Sequence, residues 1–190
     1  MSIIKIVLDT NIFINPASYK FFGETANSAF NNFLNLISIK KNISCYMPPS
    51  VYKEFLKFLG DDLNYKNTPF INKKPPSSYQ LSLSAILFYE FIEQMRIRIN
   101  KGLRIAEKYA RKGSQGISEE QLIKSLREEY RIGTREGIID SKEDFDLILL
   151  AKELEALLAT SDEGLIIWAH KLGINCIDAY QLKEILEKTN

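Results

Sequence analysis

The chain opens on Ile3 to Pro16, IIKIVLDTNIFINP, and this stretch most constrains what it can fold into. Ile3-Ile4 and Ile6-Val7-Leu8 make an apolar run interrupted only by Lys5, which predicts a strand buried on both faces of a parallel sheet. The run ends at Asp9, so a carboxylate is delivered to the C-terminal end of the strand. In open α/β sheets ligands bind at that edge, because loops leaving the strands converge there and helix N-termini point their N–H groups outward. Asp9 is therefore the first candidate for chemistry. The bland alternative is a cap or turn residue, since Asp, Thr and Asn all satisfy orphan N–H groups.

Other acids at the same edge bear on that choice. Ala156 to Thr160 predicts a strand ended by Ser161-Asp162-Glu163-Gly164, which puts Asp162, like Asp9, where a strand gives way to a helix. Asp140 ends a short apolar pair, and Ser141 is a predicted N-cap with Asp144 at the third helical position. Asp140 and Asp144, four apart, aim at one point from a loop end and a first helical turn. Asp146 lies about 200° from Asp144 on the helical wheel, and Glu143 about 100°. A first turn rich in acids also suits the helix dipole, so each acid taken singly has a structural explanation. Glu54 lies one turn into a helix with Ser50 as its predicted cap and Val51, Phe55 and Phe58 as its inner face. It reads either as a solvated helix acid or as a contributor to the acidic pocket.

Asp9, Asp140 and Asp162 from separate strand ends, with Asp144 one turn on, would repel one another in a shared site. Hard divalent cations with oxygen ligands, Mg²⁺ or Mn²⁺, resolve the conflict. Two such ions roughly 4 Å apart deprotonate a water, align it with a phosphodiester and stabilise the leaving oxygen. The single histidine, His170, falls mid-helix beside Lys171, so no His-dependent base or zinc site can be assembled. No Ser-His-Asp or Cys-His arrangement, P-loop or dinucleotide turn competes for the role.

At 190 residues the chain suits one compact domain carrying an insertion. No stretch approaches the 18 or so apolar residues of a membrane span, and no cleavable signal pattern is present. Cys45 and Cys176 give neither a spaced metal site nor a disulfide framework, which fits a reducing cytoplasm. The net charge of +1 conceals a segregation. Arg96 to Lys112 holds seven basic residues against Glu107, and Glu136 to Glu163 holds nine acids against Lys142 and Lys152. A basic region for phosphates beside a pocket that needs cations is a pairing common in nucleases.

Thr25 to Ser38 carries a helix-period stripe, Ala29, Phe30, Phe33, Leu34, Leu36 and Ile37, and Ile43 to Met47 reads as a second strand. Gly60 to Ser78 reads as a long surface loop leading to the insertion. From Leu81 to about Arg111, Ile92, Met95, Ile99, Leu103, Ala106 and Ala110 recur at steps of three and four, the seam of a helical hairpin or coiled coil. About 30 helical residues extend roughly 45 Å. Gly113 to Gly116 is the expected turn, Ser118 and Gln121 a capping box, and Leu122, Leu126 and Tyr130 the returning stripe. Lys101, Arg104, Lys108, Arg111 and Lys112 share one face of the first helix, and Arg127 and Arg131 do so on the second. Solvated helices interleave acids with bases, and this face does not, so phosphate contact is the favoured reading over simple solvation. Phe88, Tyr89 and Phe91 read as packing residues. Ile174 to Ile177 predicts a last strand, and Tyr180 to Glu187 a closing helix.

VLDTN at 7–11, PSVYKE at 49–54, the Asp140/Asp144 pair and TSDEG at 160–164 resemble the four acidic stations of a PIN-domain nuclease. LDTNIFINP, REGIIDSKEDFDLILLA and SDEGLIIWAHKLGI, with the helical insertion between, are similar to the minimal RNA-free ribonuclease P of prokaryotes, formerly labelled RNA ligase partner. The resemblance implies a three-layer α/β/α core from residues 1–80 and 133–190, with a protruding two-helix spike at 81–132. It implies removal of the 5′ leader of precursor tRNA, leaving a 5′-phosphate, with no RNA subunit and with Mg²⁺ or Mn²⁺. Asp9, Asp140, Asp144 and Asp162 occupy the catalytic, metal-holding positions, Asp146 and Glu54 are further metal candidates, and Asn11 and Ser161 support them. In such enzymes basic spike residues reach tRNA, and the spikes mediate dimers and a dodecamer-like homo-oligomer. A toxin-type PIN ribonuclease acting on other RNA and a non-catalytic RNA-binding or assembly partner are the alternatives. The long insertion argues against the first, and the full set of mutually repelling acids against the second.

Overall fold

Ile6, Val7 and Leu8 have no solvent exposure, so the strand they form, β1 (Ile4–Leu8), is covered on both faces as its unbroken apolar run requires. The structure is a computed structural model that describes residues 3–60, 68–113, 118–135 and 141–188. Met1–Leu81 with Ser141–Asn190 form one compact unit, and Ser82–Asp140 a second.

In the first unit β1 is the central strand. After it come α1 (Asn11–Ile14), α2 (Pro16–Tyr19), α3 (Ala26–Ser38), β2 (Ile43–Met47), α4 (Pro49–Leu59) and the short β3 (Ile71–Lys73). The C-terminal part adds α7 (Lys142–Leu154), β4 (Leu157–Ala159), α8 (Glu163–Lys171), β5 (Cys176–Ile177) and α9 (Ala179–Lys188). The sheet order is β3-β2-β1-β4-β5 with every pairing parallel. Ile6 stands opposite Cys45 on one side and Leu157 on the other. The chain winds from β1 outward to β3, then returns to the other side of β1 to lay down β4 and β5. Right-handed crossovers in opposite directions put helices on both faces, giving three α/β/α layers. The order therefore reverses between β1 and β4.

Five phenylalanines pack the layer next to that reversal. Phe13 on α1 lies 5.2, 4.9 and 5.5 Å from Phe30, Phe33 and Phe55, ring centre to ring centre, and Phe22 lies 5.9 Å from Phe33. Phe13, Phe30, Phe33 and Phe55 are wholly buried. They fix α1, the short helix that follows Asp9, against α3 and α4. Thr25 and Ser28 form the reciprocal box that starts α3. Ser141 accepts the Asp144 N–H at 2.9 Å and starts α7 as its position predicts. The α7 helix ends at Glu155, in the left-handed region at φ 51°, with the Lys5 ammonium donating to the Leu154 carbonyl.

Four expectations are corrected in this unit and the next. Ser50 does not cap α4: Pro48 takes that position and Pro49 the first helical one, where its fixed φ suits a helix start. Phe58 is exposed, because the buried face is made by Val51, Tyr52, Phe55 and Leu59 and leaves Phe58 about 75° off its centre. The expected loop from Gly60 to Ser78 contains β3, which has one buried residue, Ile71, and is held by its backbone pairing to β2. The fourth correction concerns the second unit, which consists of α5 (Ala85–Gly113) and α6 (Glu119–Arg135) packed antiparallel. Their contact does not use the expected seam. Ile92, Ile99 and Leu103 are 50%, 65% and 57% exposed, and Met95, Ala106 and Ala110 are exposed too. The buried line is Gly102, Ile105 and Tyr109. A β-carbon at Gly102 would come within 2.7 Å of the Tyr130 ring, so the missing side chain is what admits α6 on that line. Ser118 caps α6 through the Gln121 N–H at 3.4 Å. The expected turn beyond Gly113 lies outside the described residues.

Candidate functional site

Asp9 sits one residue beyond β1, and its N–H continues the ladder to the Ala159 carbonyl at 2.9 Å. That register sets it beside Thr160, whose N–H continues the next ladder to Ile177 at 3.0 Å. Asp9 and Thr160 thus leave adjacent strands on the two sides of the reversal, at the crevice where such sheets bind ligands. Thr160 is fully buried. Its hydroxyl donates to Asp9 Oδ2 at 2.6 Å and accepts the Asp162 N–H at 3.0 Å. The Asn11 N–H and the Thr10 hydroxyl donate to Asp9 Oδ1 at 3.3 and 3.4 Å.

Burial pushes the Asp9 carboxyl above its ordinary value. The Thr160 and Asn11 hydrogen bonds pull it back, the nearby negative charge of Asp162 raises it further, and Thr10 lowers it slightly. Among the described residues no lysine or arginine pairs with Asp9. Asp162 caps α8, its Oδ1 accepting the Leu165 N–H at 2.8 Å. The cap reading and the site reading hold together there, because one carboxylate has two oxygens. Next to it, the Ser161 hydroxyl is buried without a hydrogen-bond partner.

Asp144 is half-buried in the first turn of α7, a helix that packs on β1 and β4. Asp146, two residues on, accepts a 2.9 Å hydrogen bond from the Ser50 hydroxyl in the first turn of α4. Glu54, one turn after Ser50, is exposed. Asn11 contributes its backbone N–H to Asp9 and is half-buried. Asp140 lies outside the described residues. Among the described residues no three His, Cys, Asp or Glu side chains gather closely enough to hold an ion. The donors that do converge are oxygens alone, with an uncompensated buried carboxylate, a second carboxylate beside it and an orphan hydroxyl. Such a set fits a hard divalent cation and does not fit zinc or copper. His170 is exposed near the end of α8.

Two polar residues of the site went unassigned in the sequence, Thr160 and Ser50 in its observed role. The signal for Thr160 was its position at the end of an apolar strand directly before Ser161-Asp162; its link to Asp9 depends on a register joining residues 151 apart.

On the second unit, Lys101, Arg104, Lys108 and Arg111 are exposed on α5, Lys112 is half-buried, and Arg127 and Arg131 are exposed on α6. The Lys108 ammonium reaches both oxygens of Glu129, at 2.7 and 2.8 Å, and the Tyr109 hydroxyl donates to the same carboxylate at 2.9 Å. Hydrogen bonding by Lys108, and then by Tyr109, holds the Glu129 carboxyl below its ordinary value. The Lys112 ammonium stands 5.0 Å over the Tyr109 ring.

A reversed parallel sheet with paired acids at its crevice defines the class as a PIN-type ribonuclease, and the family model for the PINc domain ribonuclease matches residues 5–189. The chain is 44% identical to the RNA-free ribonuclease P of Pyrococcus abyssi over 97% of its own length and 92% of that protein. It is 43% identical to that of Pyrococcus horikoshii over the same shares. It is 47% identical to that of Thermodesulfovibrio yellowstonii, over 96% of the chain and 93% of the relative. It belongs to the RNA-free ribonuclease P family of PIN-domain endoribonucleases. No helix among the described residues is long and apolar enough to cross a membrane.

Proposed function

We propose that this chain is a metal-dependent endoribonuclease that removes the 5′ leader of precursor tRNA without an RNA subunit. The observation that carries the reading is the triad Asp9–Thr160–Asp162 at the sheet reversal, where two carboxylates are drawn together and, among the described residues, no cationic side chain pairs with Asp9. Asp9, Asp140, Asp144 and Asp162 would hold Mg²⁺ or Mn²⁺, with Asp146 and Glu54 as further candidate ligands. The bound ion supplies positive charge at the scissile phosphate and a water acidic enough to attack it.

The chain's own groups do the rest. Thr160 fixes the orientation of the Asp9 carboxylate by holding Oδ2, while Asn11 and Thr10 hold Oδ1. Asp162 is anchored by its cap bond and presents its other oxygen outward. The Ser161 hydroxyl, next in sequence to Asp162, is buried without a partner, and Asn11 braces Asp9 through its other oxygen. Hydrolysis leaves a 5′-phosphate on the mature tRNA and a 3′-hydroxyl on the leader.

Lys101, Arg104, Lys108, Arg111, Lys112, Arg127 and Arg131 hold tRNA phosphates. The exposed stripe Phe88, Ile92, Met95, Ile99 and Leu103 repeats at helical spacing on α5 and is covered by a second copy of the chain. The protein works in the cytoplasm as dimers that build a larger, dodecamer-like assembly. The deciding experiment incubates the chain with 5′-labelled precursor tRNA, with and without Mg²⁺, and maps the cut. A single Mg²⁺-dependent cut at the mature 5′ end is expected. Cleavage that survives Asp9→Asn and Asp162→Asn would overturn the reading.

A further inference from the structure

The Ser50 hydroxyl donates to Asp146 Oδ2 across 96 positions of sequence. Serine in a first helical turn ordinarily turns back on its own backbone, as a cap or to a carbonyl one turn earlier. Here Pro48 and Pro49 already set the helix start, and the cap makes no side-chain hydrogen bond. The Ser50 hydroxyl is directed instead at another helix. Both partners lie at the catalytic edge: α4 begins two residues after β2 ends there, and α7 begins with the turn that carries Asp144.

Asp146 occupies the second turn of α7, immediately before the wholly buried run that starts at Leu147. A half-buried carboxylate with one oxygen bonded has its plane fixed and its other oxygen aimed. We infer that Ser50 is a positioning residue for the metal site, acting through Asp146: its hydrogen bond orients that carboxylate and locks the first turns of α7, with Asp144, against α4. The inference rests on the metal-dependent reading above. Partners that orient ligating carboxylates typically change metal affinity by about 10-fold to 100-fold when removed, whereas a surface serine changes nothing.

The test titrates the folded, RNA-free chain with Mn²⁺, following the electron paramagnetic resonance signal of the free ion, for the parent, Ser50→Ala, Ser50→Thr, Asp146→Asn and the double variant. Leader removal by the parent is measured alongside. Ser50→Ala is expected to weaken Mn²⁺ binding on the order of 10-fold. Ser50→Thr, which keeps the donor, should stay within about three-fold of the parent, and adding Ser50→Ala to Asp146→Asn should cost nothing more. Precursor tRNA binding in Ca²⁺ should be unchanged. If Ser50→Ala does not fold, Ser50→Cys keeps the shape with a weaker donor and should show an intermediate loss. Parental Mn²⁺ affinity in Ser50→Ala, or an equal loss on the Asp146→Asn background, overturns the inference while a cleaving parent leaves the proposed function standing. A parent that neither binds Mn²⁺ nor cleaves overturns both.

Discussion

Thr160 donates a 2.6 Å hydrogen bond to Asp9 from the neighbouring strand, and with the same oxygen accepts the Asp162 N–H. One buried hydroxyl therefore sets the spacing of two acids whose charges oppose each other. A carboxylate buried against an acid and three neutral donors is unfavourable in the isolated fold and becomes favourable when a cation arrives. In the proposed metal site, the cost of burying Asp9 and the affinity for a cation would have the same origin.

Replacing Thr160 by Val keeps the shape and removes both bonds. The Asp9 oxygen then loses its shortest partner in a buried setting, which costs about 1–3 kcal/mol of stability. Urea unfolding should show the midpoint fall with an unchanged slope, and leader removal should drop. Thr160→Ser keeps the hydroxyl and should restore most of both, at the expense of one buried methyl. Equal damage from Ser and Val would assign the position to packing.

The raised Asp9 carboxyl predicts a pH dependence of definite sign. An acid whose folded value lies above its unfolded one favours the fold when protonated, so that contribution is complete below the ordinary value of about 3.8 and is lost as pH rises through the raised one. In metal-free buffer at pH 7, Asp9→Asn should be more stable than the parent. The amide oxygen can keep the 2.6 Å Thr160 bond and give up only the two longer contacts, from Asn11 at 3.3 Å and Thr10 at 3.4 Å. The advantage should shrink as the pH is lowered toward 4, followed by chemical unfolding in EDTA. Mg²⁺ at 100 times its dissociation constant should stabilise the parent by about 2.7 kcal/mol and Asp9→Asn far less.

What the sequence disclosed follows from how local each signal is. The strand before Asp9, the helix from Thr25 and the strand Ile43–Met47 are written in runs of apolar residues at the right period, and the structure places them there. β3 escaped because Ile71 is its one buried residue and its partner strand supplies the rest. Asp9 and Asp162 were readable as acids at strand ends. Thr160 and Ser50 were not, because their roles exist only once strands and helices far apart in sequence are paired. The line Ile92, Met95, Ile99 and Leu103 of α5 is exposed rather than the hairpin seam its spacing predicts, because glycine at 102 and Tyr130 set the contact with α6 on another line.

The basic face of α5 is not uniform, and RNA binding should reveal it. Arg104 is exposed, whereas the Lys108 charge is already engaged by Glu129. Each phosphate contact adds nearly one unit to the logarithmic salt dependence of binding. Arg104→Ala should weaken precursor tRNA binding and flatten that dependence by about one unit. Lys108→Ala should flatten it less, while freeing Glu129 to repel the backbone. Identical slopes for the parent and Arg104→Ala would return this face to simple solvation.

The stripe Phe88, Ile92, Met95, Ile99 and Leu103 spans about 22 Å of helix at 1.5 Å per residue, and α6 packs along a different line of α5. Its residues cluster roughly 90° around the helix from the Gly102–Ile105–Tyr109 contact, so a second chain can reach it without disturbing the helix pair. Paired charges introduced there, Ile99→Glu with Leu103→Glu, should dissociate the assembly on size-exclusion chromatography with light scattering. Helix content should persist, because both positions face outward in the single chain. Mass unchanged by the double substitution would place the interface elsewhere. Loss of mass with Mn²⁺ binding retained would separate assembly from the metal site.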